Sequence, residues 1–296
     1  MQLDRIPHRQ IDKRKYDACI VHARNGTLYA SSWYLDITAP EWQLLATPDY
    51  SFVMPLPLKR KYGLPYILHP LLSQQLGLFS PEKITPNILN EFLKKIPTVY
   101  CILQLNAGNL FERNDFQVRM NYLLDLSPNY REIKNRYHGN TNSNLKKTAK
   151  NHLAVDQTLN FESLLEIFAE HSLHYTGAVL ETAKRLVREA DIRNQLRIRC
   201  VRKEETGEIL AGIFFFQWKN RFYYLFPVSS PEGKKLHAMR FLIDRFIAEW
   251  AGSNYMIDFE GSSVPSVAQF YQNFGAVAEM YPTYRAVVPP FNWIFK

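Results

Sequence analysis

The sequence has few cysteines, and their placement argues against two common kinds of site. Among 296 residues only Cys19, Cys101 and Cys200 are cysteines. Their number is odd, they lie far apart in the chain, and none belongs to the CxxC spacing that is typical of zinc sites and redox pairs. We therefore expect neither a disulfide framework nor a metal site, and we interpret the three thiols as free and buried.

Long hydrophobic runs are also missing. No stretch approaches the roughly 20 apolar residues of a membrane-spanning helix, and residues 1–17 carry charges throughout, unlike the apolar core of a signal peptide. Hydrophobic residues make up 46% of the chain and charged residues 22%, as in ordinary globular proteins. We expect a cytoplasmic globular protein without a membrane span.

Several widespread catalytic motifs do not occur. The sequence contains no HExxH zinc-protease motif, no GxSxG serine-hydrolase motif, no Walker phosphate-binding loop and no GxGxxG dinucleotide fingerprint. Each of these motifs places its ligands, nucleophile or phosphate-binding amides at a fixed spacing. Their absence argues against zinc proteases, serine hydrolases, nucleoside triphosphatases and dehydrogenases.

Positive charge is in excess. The 36 Lys and Arg residues outnumber the 28 Asp and Glu residues, which gives a net charge of +8. This balance favours an anionic partner such as a phosphate-bearing ligand, a nucleic acid or a cell-wall polymer. The alternative is a basic globular protein that binds no particular anion.

A polar segment divides the sequence into two parts. Residues 127–151 contain six Lys or Arg residues against one Glu, and strand-like runs flank them on both sides. Such a shift in composition is typical of a domain boundary. We therefore predict a first domain at 1–126 and a second domain at 127–296.

The second half has the clearer apolar pattern. Spacings of three and four predict two helices, and alternating residues then predict three strands joined by polar turns, followed by a helix, a strand, a helix and a last strand. The predicted ranges are 161–168, 179–190, 196–203, 209–218, 222–228, 236–250, 255–259, 263–274 and the stretch from 276 to 288.

The first half shows a weaker version of the same order. We predict a helix, an aromatic stretch, three extended runs, a helix and two strands, at 13–20, 28–35, 42–47, 51–58, 64–69, 82–95, 98–105 and 116–125. The halves do not repeat residue by residue. Their similar order predicts an α+β protein with mixed sheets and two copies of one topology.

Short motifs add a family resemblance. The stretch 268–276 (AQFYQNFGA), a tyrosine-bearing helix that a glycine ends, resembles the closing motif of the GNAT-type N-acyltransferases. The stretches 258–261 (DFEG) and 146–150 (KKTAK) resemble the C-terminal domain of FemABX-like proteins, which carry two GNAT-like domains in tandem. Less specifically, 29–34 (YASSWY) and 69–77 (HPLLSQQLG) are similar to the first domain of uncharacterised relatives.

The resemblance implies a fold and a class of reaction. The fold is two tandem GNAT-like (acyl-CoA N-acyltransferase) domains, and the reaction is transfer of an acyl group to an amine with formation of an amide. Within the FemABX group some members use aminoacyl-tRNA as the donor and others are thought to use acyl thioesters. The resemblance therefore leaves the donor open.

Tyr271 is the candidate acid. Transfer to an amine needs a proton for the leaving group, and the resemblance implies that Tyr271 protonates a leaving thiolate. The alternative is a structural tyrosine that packs with Phe270 and Phe274.

Asp258 and Glu260 are the candidate bases. They are two residues apart on a predicted strand, so we expect both on one face, where their repulsion would raise one pKa and allow that group to deprotonate the acceptor ammonium. The alternative is that one of them caps the next helix or pairs with Arg285.

The loop 228–237 is the candidate cofactor site. The resemblance implies that the following helix binds a cofactor pyrophosphate through backbone amides, to which the loop adds positive charge. The usual Arg/Gln-x-x-Gly-x-Gly/Ala signature is absent, and a solvated charged turn is the alternative. The candidate residues are Ser229, Ser230, Gly233, Lys234, Lys235 and His237.

The segment 127–151 contains the strongest basic cluster. Lysine and arginine with interleaved aromatic residues suit a phosphate backbone such as that of a tRNA acceptor stem, whereas a solvated helix face is the alternative. The candidate nucleic-acid-binding residues are Lys146, Lys147 and Lys150, with Arg131, Lys134, Arg136, Tyr130, Tyr137 and His138 nearby.

These observations predict an N-acyltransferase or aminoacyltransferase. Its acceptor would be a peptide, an amino sugar or a small amine, and acyl-CoA or aminoacyl-tRNA would serve as the donor substrate rather than as a tightly bound cofactor. The alternative is a GNAT-like module that binds a ligand or RNA without catalysis.

Overall fold

The computed structural model describes residues 1–148, 150–158, 161–171, 176–261 and 264–287. The chain forms two compact units: Met1–Arg119 together with the chain from Met280 onward, and Met120–Glu279. The domain boundary at 126/127 stays a prediction. Among the described residues, no helix combines the length and apolar character that crossing a bilayer requires.

The first unit contains two small sets of strands. Its elements in chain order are β1 (Asp4–Ile6), α1 (Lys13–His22), α2 (Ser32–Thr38), β2 (Gln43–Ala46), β3 (Val53–Leu56), β4 (Leu58–Lys61), β5 (Leu64–Leu68), α3 (Pro86–Lys94), β6 (Tyr100–Gln104) and β7 (Phe116–Asp125), whose second half belongs to the other unit. Strands β1, β2 and β3 form an antiparallel sheet. Strand β4 pairs antiparallel with β5, and β5 pairs parallel with β6.

Aromatic side chains form much of the core of the first unit. Tyr16 and Trp42 are fully buried, with ring centroids 4.9 Å apart. The hydroxyl of Tyr16 donates a hydrogen bond of 2.6 Å to the carbonyl of Ala30. The aromatic stretch predicted at 28–35 is thus packed inside the unit, because rings this large contribute most of the apolar area a small core can bury.

The second unit contains one mixed set of strands with helices on both faces. Its elements are α4 (Tyr130–Asn135), α5 (Thr141–Thr148), β8 (Leu153–Asp156), α6 (Phe161–His171), α7 (Gly177–Ile192), β9 (Leu196–Lys203), β10 (Ile209–Trp218), β11 (Arg221–Ser229), α8 (Pro231–Lys235), α9 (Ala238–Trp250), β12 (Met256–Asp258), α10 (Pro265–Gln272) and β13 (Val277–Val287), which ends in the first unit. The strand order is β7-β12-β11-β10-β9-β8, with β11 and β12 parallel.

The central strand β10 is apolar on both faces because helices cover both. The ring of Phe246 in α9 stacks on Phe215 with centroids 3.9 Å apart. On the opposite face, Phe168 in α6 contacts Phe214 edge-on at 6.3 Å. A strand buried on both sides reads as a continuous apolar run, which is why the sequence pattern locates it well.

Most predicted elements are confirmed, including the α+β class and the antiparallel arrangement of β9, β10 and β11. The segment 127–151, for whose basic cluster a solvated helix face was the alternative, contains the helices α4 and α5. Helix α4 begins with a reciprocal capping box between Asn129 and Glu132. Of the predicted ends, residues 263 and 288 lie outside the described residues.

Candidate functional site

Strands β11 and β12 lie side by side over a short distance only. Their parallel pairing joins residues 221–223 with Met256–Asp258, whereas β11 continues to Ser229. After β12 the chain follows β7 instead: the N–H of Phe259 donates to the carbonyl of Tyr122 at 2.9 Å. The two strands therefore part after Tyr223 and Asp258, and we call the opening that follows the fork.

Gly261 continues this path along β7. A Cβ atom at this position would lie 2.1 Å from the carbonyl oxygen of Met120, and its φ is +66°. Only glycine fits so close to another backbone in a left-handed conformation. Gly261 thereby holds one side of the fork against β7.

A β-bulge lies on the other side of the fork. The pairing of β10 with β11 shifts between Gly212 and Phe214, so that Phe226 and Pro227 stand opposite the single residue Ile213. Phe226 has a φ of +50°, and proline has no N–H for the strand ladder. A bulge bends its strand and increases the local twist, which turns the end of β11 away from β12. Pro227 within a strand-like run was the sequence signal for this feature.

Tyr271 lies at the root of the fork. Its side chain is 7% exposed, stacks on Phe259 with centroids 4.7 Å apart and contacts Tyr224 edge-on at 5.7 Å. Burial raises the pKa of Tyr224 well above its usual range, and Tyr271 adds to the shift. Tyr271 also contacts Phe270 at 5.9 Å, as the structural alternative predicts. Its role as the acid stays a prediction.

Asp258 is buried and paired with an arginine. Its side chain is 1% exposed, one carboxylate oxygen lies 2.8 Å from Nη1 of Arg221, and the other accepts the N–H of Glu260 at 2.9 Å. Arg221, and not Arg285, is thus its ion-pair partner. Arg221 was not predicted, because the parallel pairing of β11 with β12 has no local signal in the sequence.

The expectation that Asp258 and Glu260 share one strand face is wrong. Strand β12 ends at Asp258, and Glu260 has a left-handed backbone with a φ of +60°. Alternation along a strand therefore does not extend to Glu260. Alternation within β12 does place Asp258 on the face opposite Ile257. Ile257 belongs to the core that contains Tyr271. The sheet therefore separates Asp258 from Tyr271, the candidate acid.

Two residues of the candidate cofactor loop have structural contacts. The hydroxyl of Ser230 accepts the N–H of Gly233 at 3.0 Å and so caps α8, which follows Ser229 at the end of β11. A Cβ atom at Gly233 would lie 1.9 Å from the carbonyl oxygen of Leu210. Helix α8 therefore packs directly on the backbone of β10.

The charged residues of the loop lie nearer the surface. Lys234 is exposed, and Lys235 pairs with Glu232 at 3.6 Å. His237 takes a left-handed backbone directly before α9.

Residues of the predicted cofactor site and of the predicted nucleic-acid site lie near the start of α9. Burial lowers the pKa of His237, and the positive charges of Arg240 and Lys147 lower it further. Lys147 was predicted to bind nucleic acid and His237 to bind a cofactor, whereas Arg240 was not predicted. Lys147 and Arg240 add positive charge beside a helix N-terminus, which itself favours anions. His237, whose lowered pKa leaves the imidazole neutral at pH 7, offers its ring nitrogens there. We call Lys147, His237 and Arg240 the α9 basic group.

The remaining predicted nucleic-acid residues lie in α5 and just after it. Lys146 lines a groove between α5 and α9, and Lys150 is exposed after the end of α5. The nearby Tyr130 and Tyr137 donate their hydroxyls to the buried carboxylate of Asp244. These two rings therefore belong to an internal hydrogen-bond network, not to an open stacking surface.

Part of the second unit is similar to a known domain family. Residues 147–262, which include β11, the α9 basic group and β12, match the family model described as an acetyltransferase (GNAT) domain. No curated protein matches the sequence. This match supports an acyltransferase in general.

Solved structures share the fold. The crystal structure of FemX has a TM-score of 0.70 and 13% sequence identity, with 100% of both chains covered. A conserved protein of unknown function from Bacteroides thetaiotaomicron has a TM-score of 0.55 and 9% identity, with 93% of this chain and 97% of that chain covered.

A third similar structure comes from Agrobacterium fabrum. It is the C-terminal domain of a candidate lysylphosphatidylglycerol synthetase, with a TM-score of 0.51, 12% identity, and coverage of 93% of this chain and 91% of that chain. At such low identities these structures show the fold alone. The chain is therefore a protein of the GNAT fold with FemX-like tandem architecture, and its residues 147–262 are recognised as a GNAT acetyltransferase domain.

Proposed function

We propose that the protein is an N-acyltransferase or aminoacyltransferase that forms an amide on an amine at the fork. The observation that carries this proposal is the separation of β11 from β12 next to a β-bulge, inside the segment that matches a GNAT domain. Tyr271 lies at the root of this opening. The names of two similar structures, FemX and a candidate lysylphosphatidylglycerol synthetase, agree with an aminoacyl donor.

In this proposal the donor carbonyl lies along the edge of β11. Beyond Tyr223 this edge extends past the end of β12, and a strand edge offers main-chain N–H groups. Preorganised N–H groups stabilise the negative charge that develops on a carbonyl oxygen during attack. The bulge at Phe226 and Pro227 sets the direction of that edge.

The proton transfers are assigned to Glu260 and Tyr271. The acceptor ammonium loses a proton to Glu260. Asp258 does not take this proton, because it is paired with Arg221. Its role is to accept the N–H of Glu260. The amine nitrogen then bonds to the acyl carbon, and the bond to the thiol or ribose oxygen breaks. Tyr271 protonates this leaving group, and the resulting tyrosinate takes up the second proton, which the amine nitrogen releases as the amide forms.

The donor is held through its phosphates. Both coenzyme A and tRNA carry phosphate groups, and the α9 basic group with the N-terminus of α9 suits either. Ser229, Ser230, Gly233, Lys234 and Lys235 stay candidates for donor contact through the backbone and surface charge of their loop.

A GNAT-like module that binds a ligand or RNA without catalysis is the second candidate. The observation that favours it is structural: Ser230 caps α8 and Gly233 packs on Leu210. Residues with such contacts keep a loop shape whether or not a cofactor binds there.

Thermal unfolding with single ligands separates these functions. Acetyl-CoA, longer acyl-CoAs, free CoA and deacylated tRNA are tested on the full chain. A ligand present at 100 times its Kd adds about 2.7 kcal/mol to the free energy of unfolding. A shift with thioesters or with tRNA identifies the donor class, whereas no shift with any of them contradicts both donor assignments.

Replacing Tyr271 by Phe tests the assigned acid. The variant keeps the ring that stacks on Phe259, so we expect an unchanged melting temperature and donor affinity but a kcat lower by about 10²–10⁴, as for loss of a general acid. Tyr255→Phe is the matched control, because its hydroxyl bonds to Gln217 away from the fork. Full kcat in Tyr271→Phe would show that the acid lies elsewhere.

A further inference from the structure

A groove of about 500 Å³ lies between α4, α5 and α9 in the second unit. Three cationic side chains line it, one from each helix: Lys134, Lys146 and Arg245. Apolar surface comes from Leu145 and Phe241. None of these residues belongs to the fork or to the α9 basic group, so the groove is a separate feature of the unit.

A buried carboxylate fixes the arginine of this groove. Asp244 is 2% exposed and lies 2.5 Å from Nη2 of Arg245. The hydroxyls of Tyr130 and Tyr137 donate to the same carboxylate at 2.9 Å and 3.1 Å. A buried carboxylate with three such partners is satisfied, and its charge is balanced by Arg245. This carboxylate does not balance the positive charges of Lys134 and Lys146.

Several donors of these cations have no acceptor in the part of the chain that the structure describes. Among the described residues, Nη1 of Arg245 and the ammonium group of Lys146 form no hydrogen bond. Lys134 donates one hydrogen bond, at 3.0 Å, to the hydroxyl of Tyr130, which leaves two of its three N–H groups. The groove thus offers charged donors beside apolar surface.

We infer that this groove binds a phosphate-bearing nucleotide unit. The phosphate lies among Lys134, Lys146 and Arg245, where charge-assisted hydrogen bonds are strong, and the base packs against Leu145 and Phe241. The volume is within the usual range for small-molecule sites. Coenzyme A and a single-stranded RNA end both carry such a unit. The inference is independent of the proposed transfer, because it concerns binding at a site away from the fork.

Calorimetric titration of the full chain with adenosine 3′,5′-bisphosphate tests this inference. This probe carries a base and phosphates but no acyl group. In Lys134→Ala/Lys146→Ala we expect its Kd to rise about tenfold or more, because hydrogen bonds to charged groups are lost. The matched control is Lys83→Ala/Lys95→Ala, which removes two exposed lysines of the first unit and should leave the Kd unchanged. Equal melting temperatures establish that both variants fold.

Three outcomes would overturn the inference. The first is that the bisphosphate does not bind. The second is that its Kd rises equally in the control variant. The third is that inorganic phosphate binds as tightly as the bisphosphate, which would mean that the base makes no contact. Titrations with coenzyme A and with the trinucleotide CCA identify the source, and a groove-dependent Kd for either supports the inference. The groove variant should lose nucleotide affinity and keep normal transfer. Tyr271→Phe should keep nucleotide affinity and lose transfer. These opposite results distinguish the groove from the proposed active site.

Discussion

His69 shows how one side chain makes stability depend on pH. Its Nδ1 accepts the N–H of Gln104 at 3.2 Å, and its Nε2 lies 3.1 Å from the carbonyl of Ser73. Burial, aided by the charge of Arg119, lowers the pKa of His69 to about 3, against the opposing effect of the hydrogen bond with Ser73. The imidazole is therefore neutral in the folded chain and links the end of β5 to β6.

We expect acid to weaken the fold through this group. Between its unfolded pKa of about 6.5 and its folded pKa, only the unfolded chain binds the proton, so the free energy of unfolding falls as pH decreases, by at most about 1.4 kcal/mol per pH unit. Urea unfolding at pH 7 and pH 5 measures this loss. His69→Gln should reduce the difference, whereas His22→Gln, at an exposed position of α1, should not. An equal pH dependence in wild type and His69→Gln would exclude His69 as its source.

For single residues, the sequence indicated candidate side chains better than the residues that these side chains contact. Tyr271 was singled out through the family resemblance, and Asp258 through its spacing from Glu260; their roles stay predictions. Arg221 was missed because its pairing with Asp258 depends on which strand lies next to β11. Strand order is a tertiary property, and no spacing in the sequence specifies it.

At the scale of elements, α8 depends on a close approach to β10. Because the carbonyl of Leu210 lies so near Gly233, we expect Gly233→Ala to lower the free energy of unfolding by about 2 kcal/mol or more, as for overpacking against backbone that cannot move. Gly207→Ala is the control: its Cβ meets no atom within 4 Å, and only its φ of +71° is unfavourable, at a cost of about 1 kcal/mol. Denaturant unfolding measures both. Equal losses would mean that α8 shifts to accept the methyl group.

The accuracy of the element predictions follows from burial. Strands β9 and β10 begin and end at the predicted residues, because their apolar runs are long and lie between polar turns. The bounds of α4 and α5 were not predicted, because each helix buries few side chains, such as Ile133 in α4, and its apolar periodicity is weak. The strand predicted through Phe259 ends earlier because the chain turns to β7 at the fork.

At the scale of the whole molecule, the three thiols report on both units. Cys19 and Cys101 belong to the first unit and Cys200 to the second. All three are free and buried, as predicted. Burial raises the pKa of Cys19 and Cys101 to about 12 and that of Cys200 to about 11. Since the thiolate is the reactive form, both burial and protonation protect these groups.

We therefore expect slow labelling by a thiol reagent in the native protein and rapid labelling of all three cysteines in denaturant. Mass spectrometry of peptides after labelling at increasing urea concentrations shows which unit opens first. Cys19 and Cys101 should become reactive together, because they share a unit, while Cys200 follows its own transition. Rapid labelling without denaturant would contradict the burial of the thiols.

The path of β13 has a consequence for how the protein is made. Residues 283–287 of this strand pair with 100–104 of β6, although more than a hundred residues of the second unit are synthesised between them. A ribosome releases the N-terminal part first, so the first unit waits with β6 as an open edge until almost the whole chain has emerged. During that interval the nascent chain depends on chaperones or on early folding of the inserted unit, since exposed strand edges promote aggregation.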